Sequence, residues 1–200
     1  MDWKGYSKKF YDNPEQIMEL ENQFLTELIN DALPQGKKCL DIGCGLGHWT
    51  QILHSLGGNV TGADNSQDVT EQFQTRLPDV KFVLLDQSTL PFPDDEFEII
   101  LISWVLQEMI DHEKFSIFLA EVKRILAPGG RFILAENIYP SDRILLTQSP
   151  QGNLFENKKG SPTKLRFFLH NSLAKIMKNY GLSLLQKQIV GHTFFEVYKK

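Results

Sequence analysis

The stretch "CLDIGCGLGHWT", residues Cys39–Thr50, joins a short apolar run to three glycines at alternate positions. Gly43, Gly45 and Gly47 carry no Cβ, so a ligand can lie directly against the main chain there. The apolar run predicts a buried strand, and the residues after the glycines predict a helix. A strand, a glycine-rich turn and a helix together present backbone N–H groups and a helix N-terminus to a ligand.

Outward from this stretch, the chain repeats the alternation of strand and helix. Strands are predicted in "KKCLDIG", "GGNVTGAD", "VKFVLLD", "FEIILIS" and "RFILAEN". Because these runs are continuously apolar and are separated by amphipathic helices, they indicate an α/β protein with a parallel sheet covered on both faces. "LSLLQKQ" and "TFFEVYK" follow with only a short connection around Gly191. That connection is too short for a crossover helix, so the last two strands should form an antiparallel hairpin.

Three helices have recognisable starts. Asn13 and Pro14 are typical of a helix cap followed by a first-turn proline. Ser66 and Asp111 are expected to cap two later helices. The apolar face of the first helix is predicted to consist of Ile17, Leu20, Phe24 and Leu28.

Composition limits the classes of partner. The chain has 200 residues, a formal net charge of -4 and an apolar fraction of 42%. That charge gives no reason to expect a nucleic-acid partner, and no stretch has the length of a signal peptide or a membrane span. Cys39 and Cys44 lie on one strand and its following loop, a poor framework for a disulfide, and free thiols fit a reducing compartment. We expect a cytoplasmic protein with no membrane association.

The spacing of the glycines discriminates among nucleotide ligands. The dinucleotide fingerprint needs its third glycine three positions after the second, but Gly47 follows Gly45 by two and His48 occupies the expected place. A phosphate loop would need Gly-Lys-Ser/Thr, which is absent from the sequence. Asp64 stands about twenty residues after the first glycine, where a carboxylate binds ribose hydroxyls. An adenosine without phosphates, attached to an amino acid, fits this pattern, and that ligand is S-adenosylmethionine.

From Lys37 to about Asn137, and to the end of the chain by extension, the sequence resembles the class I S-adenosylmethionine-dependent methyltransferases with a type 11 or type 12 domain. "LDIGCGLG" and "VTGADNS" are similar to the first two family motifs, and "LLDQSTLPFPDDEFEIILISWVLQEM" resembles the third and fourth. "LAPGGRFILAE" matches the turn that enters the fifth strand. The resemblance implies a Rossmann-like seven-stranded, mostly parallel sheet with an antiparallel last strand. It also implies S-adenosylhomocysteine as the product.

The resemblance further implies a set of cofactor-binding residues. Asp41 would either fix the loop near the methionine end of the cofactor or only cap nearby N–H groups. Cys44 would act through its main chain, and Trp104 would belong partly to the core and partly to the cofactor wall. The full set is Asp41, Gly43, Cys44, Gly45, Gly47, Asp64, Asn65, Asp86, Gln87, Ser103 and Trp104.

Glu108 and Asn137 are the residues we expect to act on the acceptor. Methyl transfer from a sulfonium needs alignment above all, and a base helps when the acceptor carries a proton. Other candidates at the same rim are Glu136, Asp142 and His170. Because no His, Cys and Asp have metal-ligand spacing, no metal site is predicted.

We expect residues 1–200 to form one domain, with residues 1–34 as an N-terminal helical segment and residues 140–163 as a substrate-side insertion. Tyr6 or Tyr11 would touch the cofactor if the first segment folds over it. The expected function is methyl transfer to an unidentified, small-molecule acceptor, and the oligomeric state is not predicted.

Three alternatives stay open at this point. A protein N-terminal amino methyltransferase would use Trp104 and Asn137 to hold a peptide, but Glu108 and Glu136 depart from that family's pattern. A non-catalytic scaffold that binds the cofactor has the same motifs. A dinucleotide oxidoreductase would share Asp64, although the glycine spacing argues against it.

Overall fold

A seven-stranded sheet forms the centre of the protein in a computed structural model that describes residues 14–85, 89–137, 143–147, 153–157, 164–167, 172–191 and 193–200. Its strands are β1 (Lys38–Ile42), β2 (Asn59–Asp64), β3 (Lys81–Leu84), β4 (Phe97–Ser103), β5 (Leu126–Asn137), β9 (Ser183–Val190) and β10 (Thr193–Lys199). A second sheet consists of β6 (Arg143–Thr147), β7 (Asn153–Asn157) and β8 (Lys164–Phe167).

The strand order of the large sheet is β3-β2-β1-β4-β5-β10-β9. β1 pairs in parallel with β2 on one side and with β4 on the other, and β10 runs antiparallel to both β5 and β9. The predicted α/β class and the C-terminal hairpin are therefore confirmed. Because the chain leaves β1 in one direction and returns to its other side, the carboxyl ends of β1, β2 and β4 flank a topological switch point, where α/β proteins bind ligands.

The described helices are α1 (Pro14–Asp31), α2 (His48–Ser55), α3 (Gln67–Arg76), α4 (His112–Ile125), α5 (Ser172–Asn179) and a 3-10 turn over Leu106–Glu108. Asp111 caps α4 as predicted, since its side chain accepts a hydrogen bond from the Lys114 N–H at 2.9 Å. Ser66 occupies the cap position of α3 but makes no capping side-chain bond. Asp64 Oδ1 instead accepts the Ser66 N–H at 2.9 Å.

Alternate side chains along the strands point to opposite faces of the sheet and pack into two apolar cores, one on each face. On β4, Ile100 and Ile102 face a core covered by α4 and α5, whereas Ile99 and Leu101 face a core covered by α1. The predicted apolar face of α1 is right in part: Leu28 is buried, whereas Leu20 is 48% exposed and Phe24 only half-buried. The apolar side chains that α1 buries are Leu25, Leu28 and Ile29, and Ala32 directly after the helix continues this core-facing stripe.

Candidate active site

A cavity of about 640 Å³ lies at the carboxyl ends of β1, β2 and β4. Its walls come from the glycine loop after β1, the start of α2, the ends of β2 and β3, the segment between β3 and β4, the turn after β4 and one side chain of α4, Phe118. This is the position that the topology predicts for a ligand.

The carboxylate of Asp64 fastens the glycine loop to the end of β2. Its Oδ2 accepts the Gly45 N–H and its Oδ1 the Ser66 N–H, both at 2.9 Å. The N–H groups of Gly43 and Cys44 both donate hydrogen bonds to the Ala63 carbonyl oxygen, at 2.7 and 3.1 Å. Each oxygen of a carboxylate has two lone pairs, and here each accepts one N–H, so Asp64, which lines the cavity, has the capacity to accept two further hydroxyl groups. The residues present thus fit a ribose diol.

The three glycines have different structural roles. Gly45 has φ +50° and open space where a Cβ would stand, and it lines the cavity, so close approach of a ligand is possible there. Gly47 has φ +80°, and a Cβ would meet Leu77 Cδ1 at 2.6 Å and Phe73 Cε2 at 2.9 Å. It does not line the cavity. Gly43 lines it, but its missing Cβ makes room for Val105.

Cys44 and Asp41 lie behind the loop. Cys44 borders the cavity, and burial raises the pKa of its thiol, so the thiol stays protonated. Asp41 is fully buried outside the cavity lining, and its Oδ2 accepts the Thr50 hydroxyl at 2.6 Å, which ties β1 to α2. Its Oδ1 has no hydrogen-bond partner among the described residues. Burial raises the pKa of Asp41 from 3.8 to about 7.

Asn65, Ser103 and Trp104, which the sequence assigns to the cofactor, line the cavity. Trp104 adopts φ +56°, a conformation that costs a bulky residue free energy. Its N–H donates to the Ala135 carbonyl at 2.8 Å, and its own carbonyl accepts from Gln107 Nε2 at 3.3 Å. The turn after β4 is therefore held on both sides of the strained residue.

Glu136 and Asn137 do not line the cavity, although the sequence suggests both for acceptor chemistry. The buried Glu136 carboxylate accepts the Leu106 N–H at 2.6 Å and the Gln107 N–H at 3.3 Å, so it stabilises the 3-10 turn. Burial raises its pKa to about 8. Asn137 Nδ2 donates to Gln107 Oε1 at 2.9 Å. Both side chains therefore act on the cavity indirectly, by holding the 3-10 turn over Leu106–Glu108.

Glu108 and His48 are the titratable side chains at the cavity apart from Asp64 and Cys44, within the part of the chain that the structure describes. Burial raises the pKa of Glu108 and lowers the pKa of His48, so each is shifted towards its neutral form. The imidazole of His48 packs edge-on against Trp49, with ring centroids 4.6 Å apart.

Several cavity residues were not predicted from the sequence: His48, Trp49, Leu85, Leu90, Val105, Met109 and Phe118. His48 and Trp49 open the helix after the glycine loop, and that position was the available signal. Leu90 and Phe118 carry no local signal, because only the packing of α4 brings them to the cavity.

Some predicted residues lie outside the described residues, namely Tyr6, Tyr11, Asn13, Asp86, Gln87, Asp142 and His170. Within the described ranges, no group of three His, Cys, Asp or Glu side chains could hold a metal ion. Among the described helices, none combines the length and apolarity needed to cross a membrane. The backbone of β8 runs beside the 3-10 turn at the cavity rim.

Residues 40–134 match the family model described as "Methyltransferase domain". This part of the chain is a methyltransferase domain of the class I, S-adenosylmethionine-dependent family. The family resemblance inferred from the sequence motifs is thereby confirmed, and S-adenosylmethionine is the family's cofactor.

Curated relatives support the same assignment. The demethylmenaquinone methyltransferase of Staphylococcus aureus strain JH9 is 32% identical over 148 residues, which is 70% of this chain and 60% of the relative. The enzyme of the same name from Clavibacter sepedonicus is 32% identical over 132 residues, which is 63% of this chain and 53% of the relative. The chain thus spans between half and two thirds of the length of these relatives.

Solved structures show the same fold. A protein from Pyrococcus horikoshii OT3 superposes with a TM-score of 0.74 at 19% identity, covering 91% of this chain and 90% of that one. The 1,6-didemethyltoxoflavin-N1-methyltransferase of Burkholderia thailandensis, solved with 1,6-didemethyltoxoflavin and S-adenosylhomocysteine, gives 0.71 at 20% identity, covering 88% and 76% of the two chains.

Alanine at Gly47 should mainly lower the stability of the protein, whereas alanine at Gly45 should mainly weaken ligand binding. Gly47→Ala adds a Cβ against Phe73 and Leu77, so we expect its free energy of unfolding to fall by ~1–3 kcal/mol beyond the backbone strain. Gly45→Ala should lose only about 1 kcal/mol of stability but should bind S-adenosylhomocysteine more weakly. Denaturant unfolding and calorimetry measure both effects. Gly181→Ala, at φ +76° with open space, is the strain control. Equal stability losses in all three variants would contradict these roles.

Asp41 should make stability depend on pH. Because its folded pKa of about 7 lies above its ordinary value of 3.8, the folded state binds more protons than the unfolded state between the two values. The free energy of unfolding should therefore fall as the pH rises from about 4 to about 7. Asp41→Asn cannot titrate, so its loss between pH 5 and pH 8 should be smaller by roughly 2–4 kcal/mol. Denaturant unfolding at the two pH values checks this, since Glu136 contributes equally to both proteins. Parallel pH profiles would show that Asp41 is ionised throughout.

Proposed function

We propose that the chain transfers the methyl group of S-adenosylmethionine to an uncharged, largely apolar small molecule. The observation that carries the proposal is the Asp64 carboxylate, which is held by the Gly45 and Ser66 N–H groups and still has free lone pairs beside a cavity. The family assignment supports the choice of cofactor.

Each group of cavity residues is assigned to one part of the cofactor according to its chemistry. Asp64 accepts the two ribose hydroxyls, and Gly45 lets the ligand lie against bare main chain. Leu85 follows β3 next to Asp64, since its N–H donates to the Asp64 carbonyl at 2.7 Å. Together with Leu90 and Phe118 it forms an apolar wall suited to the adenine ring. Asn65, Ser103 and Trp104 border the same ligand, and we assign Asp86 and Gln87 to the adenine edge by family resemblance.

The chain's own contribution to the reaction is mainly positional. When bound, S-adenosylmethionine would supply a methyl group already activated on a sulfonium, so the task of the chain's residues is to hold the acceptor in line with that methyl group. Glu108, at the cavity and with a raised pKa, takes a proton from the acceptor where it carries one. Asn137 acts indirectly, because its amide holds Gln107, which in turn binds the Trp104 carbonyl.

The charge of the cavity supports the acceptor class. Among the described residues, no lysine or arginine lines it, whereas Asp64 and Glu108 do. Among the residues that the structure describes at the cavity, an acceptor with a phosphate or carboxylate group would find no lysine or arginine to offset the cost of its desolvation. The curated relatives are named for demethylmenaquinone, and one structural neighbour holds 1,6-didemethyltoxoflavin.

The remaining expectations fit this proposal. We propose a single domain over residues 1–200, in which residues 140–163 form a substrate-side insertion, since β8, which follows it directly, lies beside the 3-10 turn at the cavity rim. Residues 1–34 form the N-terminal segment of that domain, and its described helix α1 packs on the sheet away from the cavity. The buried free thiols of Cys39 and Cys44 support a cytoplasmic location. A peptide acceptor is not favoured, because Asn137, which that alternative needs, does not line the cavity.

Asp64→Ala should weaken the binding of S-adenosylhomocysteine more than tenfold. The lost charge-assisted hydrogen bonds amount to about 1.5–3 kcal/mol. Asp64→Asn, which keeps the size of the side chain and one carbonyl oxygen, should bind with intermediate affinity. Asp68→Ala, on the exposed surface of α3, is the matched control and should leave the dissociation constant unchanged. Calorimetry that finds Asp64→Ala as tight as wild type would remove Asp64 from the ribose role.

A pair of acceptors that differ by one charge tests the proposed substrate class. With labelled S-adenosylmethionine, we expect methylation of a reduced naphthoquinone (a naphthalenediol) at least tenfold faster than of the same diol carrying a ring carboxylate. The reason is that no lysine or arginine among the described lining residues offsets the desolvation of the carboxylate. An N-terminal peptide serves as the second comparison. Preferential methylation of the carboxylate or of the peptide would refute the proposed class, and tight cofactor binding without turnover on any acceptor would favour the scaffold alternative.

A further inference from the structure

Residues 89–96, between β3 and β4, form no helix or strand, yet they supply one wall of the cavity through Leu90. A segment without regular structure has to find other partners for its backbone groups. Here the partners come from α4, the helix that also contributes Phe118 to the same wall.

Glu121 and Arg124 hold the main chain of Leu90 from both sides. Glu121 Oε2 accepts the Leu90 N–H at 2.9 Å, and Arg124 Nη2 donates to the Leu90 carbonyl at 3.0 Å. Arg124 Nη1 also donates to the Phe92 carbonyl at 2.8 Å. Both Leu90 and Phe92 are buried, so the two charged residues fix the depth at which this segment packs.

The guanidinium of Arg124 uses its full set of donors at this place. Nε and Nη2 donate to the two oxygens of Glu121, at 2.7 and 2.8 Å, and Nη1 donates to Asp94 Oδ1 at 2.7 Å as well as to Phe92. With the bond to Leu90, all five N–H groups are paired in a fixed planar arrangement. A lysine has a single ammonium and cannot reproduce this geometry.

Helix α4 therefore positions two parts of the cavity wall: it carries Phe118, and through Glu121 and Arg124 it holds Leu90. Phe118 lies three residues before Glu121, on the same side of the helix one turn away. The distance between the Phe118 ring and the Leu90 side chain thus depends on the Glu121–Arg124 pair. In the proposed function the adenine ring packs against this wall, and the packing of a flat group is sensitive to small changes in spacing.

We propose that Glu121 and Arg124 are positioning residues for the cofactor, which act by holding the Leu90 main chain against the adenine side of the cavity. The inference rests on the proposed function. It assigns a role in ligand binding to an ion pair on the outer helix that does not itself line the cavity.

The test is the affinity for S-adenosylhomocysteine, measured by calorimetry on the full chain. Arg124→Gln should raise the dissociation constant about tenfold. Two matched controls should stay within twofold of wild type: Lys123→Gln, exposed on the same helix, and Asp94→Ala, which removes an exposed partner of Arg124 that holds no part of the Leu90 main chain. If Arg124→Gln does not fold, Arg124→Lys replaces it, with the same expected direction because the planar donor set is lost.

A double-mutant cycle separates positioning from a general structural effect. Leu90→Ala should itself weaken binding, and in that background Arg124→Gln should cost less than threefold, because the wall it positions is already gone. Losses that multiply in full, or an Arg124→Gln protein that binds within twofold of wild type, would overturn the proposal while leaving the proposed function intact. A wild-type protein that does not bind S-adenosylhomocysteine would overturn both.

Discussion

The carboxylate of Asp64 is the interaction on which the site depends. It ends β2, accepts one N–H from the glycine loop and another from the start of α3, and so joins three elements at one point. Because both oxygens are already oriented by the backbone, a ligand that binds Asp64 meets a fixed acceptor pair rather than a mobile side chain. Preorganisation of this kind reduces the entropy that binding costs. The glycine loop and the carboxylate are one structural unit, although the sequence separates them.

Features with a local signature could be predicted from the sequence. The strands are continuous apolar runs, the Gly-rich turn has its fixed spacing, and Asp111 precedes an amphipathic helix, so each is legible within a few residues. Asp64 could be predicted because it ends the second predicted strand, about twenty residues after the first glycine. What failed was long-range packing. The buried stripe of α1 depends on how the helix lies across the sheet, and Leu25 and Leu20 are equally apolar in the sequence.

The same limit applies to individual site residues. Gly47 belongs to a motif associated with ligand contact, but Phe73 and Leu77 of the neighbouring α3 region fill the space beside it. Glu136 ends a strand at the rim, where a base is expected, yet thirty residues earlier the chain forms a turn whose N–H groups it accepts. In both cases the deciding partner is distant in the sequence. A motif identifies the segment at a site, and packing decides which of its atoms face the ligand.

The turn after β4 shows how such distant partners can serve binding. Trp104 in the left-handed region costs about 1–3 kcal/mol, and this persists only where the surroundings determine the conformation. The Ala135 carbonyl, the Gln107 amide and the Glu136 carboxylate supply that determination, and two of these three belong to the end of β5. A buried carboxylate without a cation beside it is itself unfavourable, which is why its pKa rises. The strained backbone of Trp104 and the buried carboxylate of Glu136 are thus two unfavourable features of the same turn. Together they hold the indole of Trp104 at the cavity. Such a rigid wall favours alignment of reactants, which is what methyl transfer requires most.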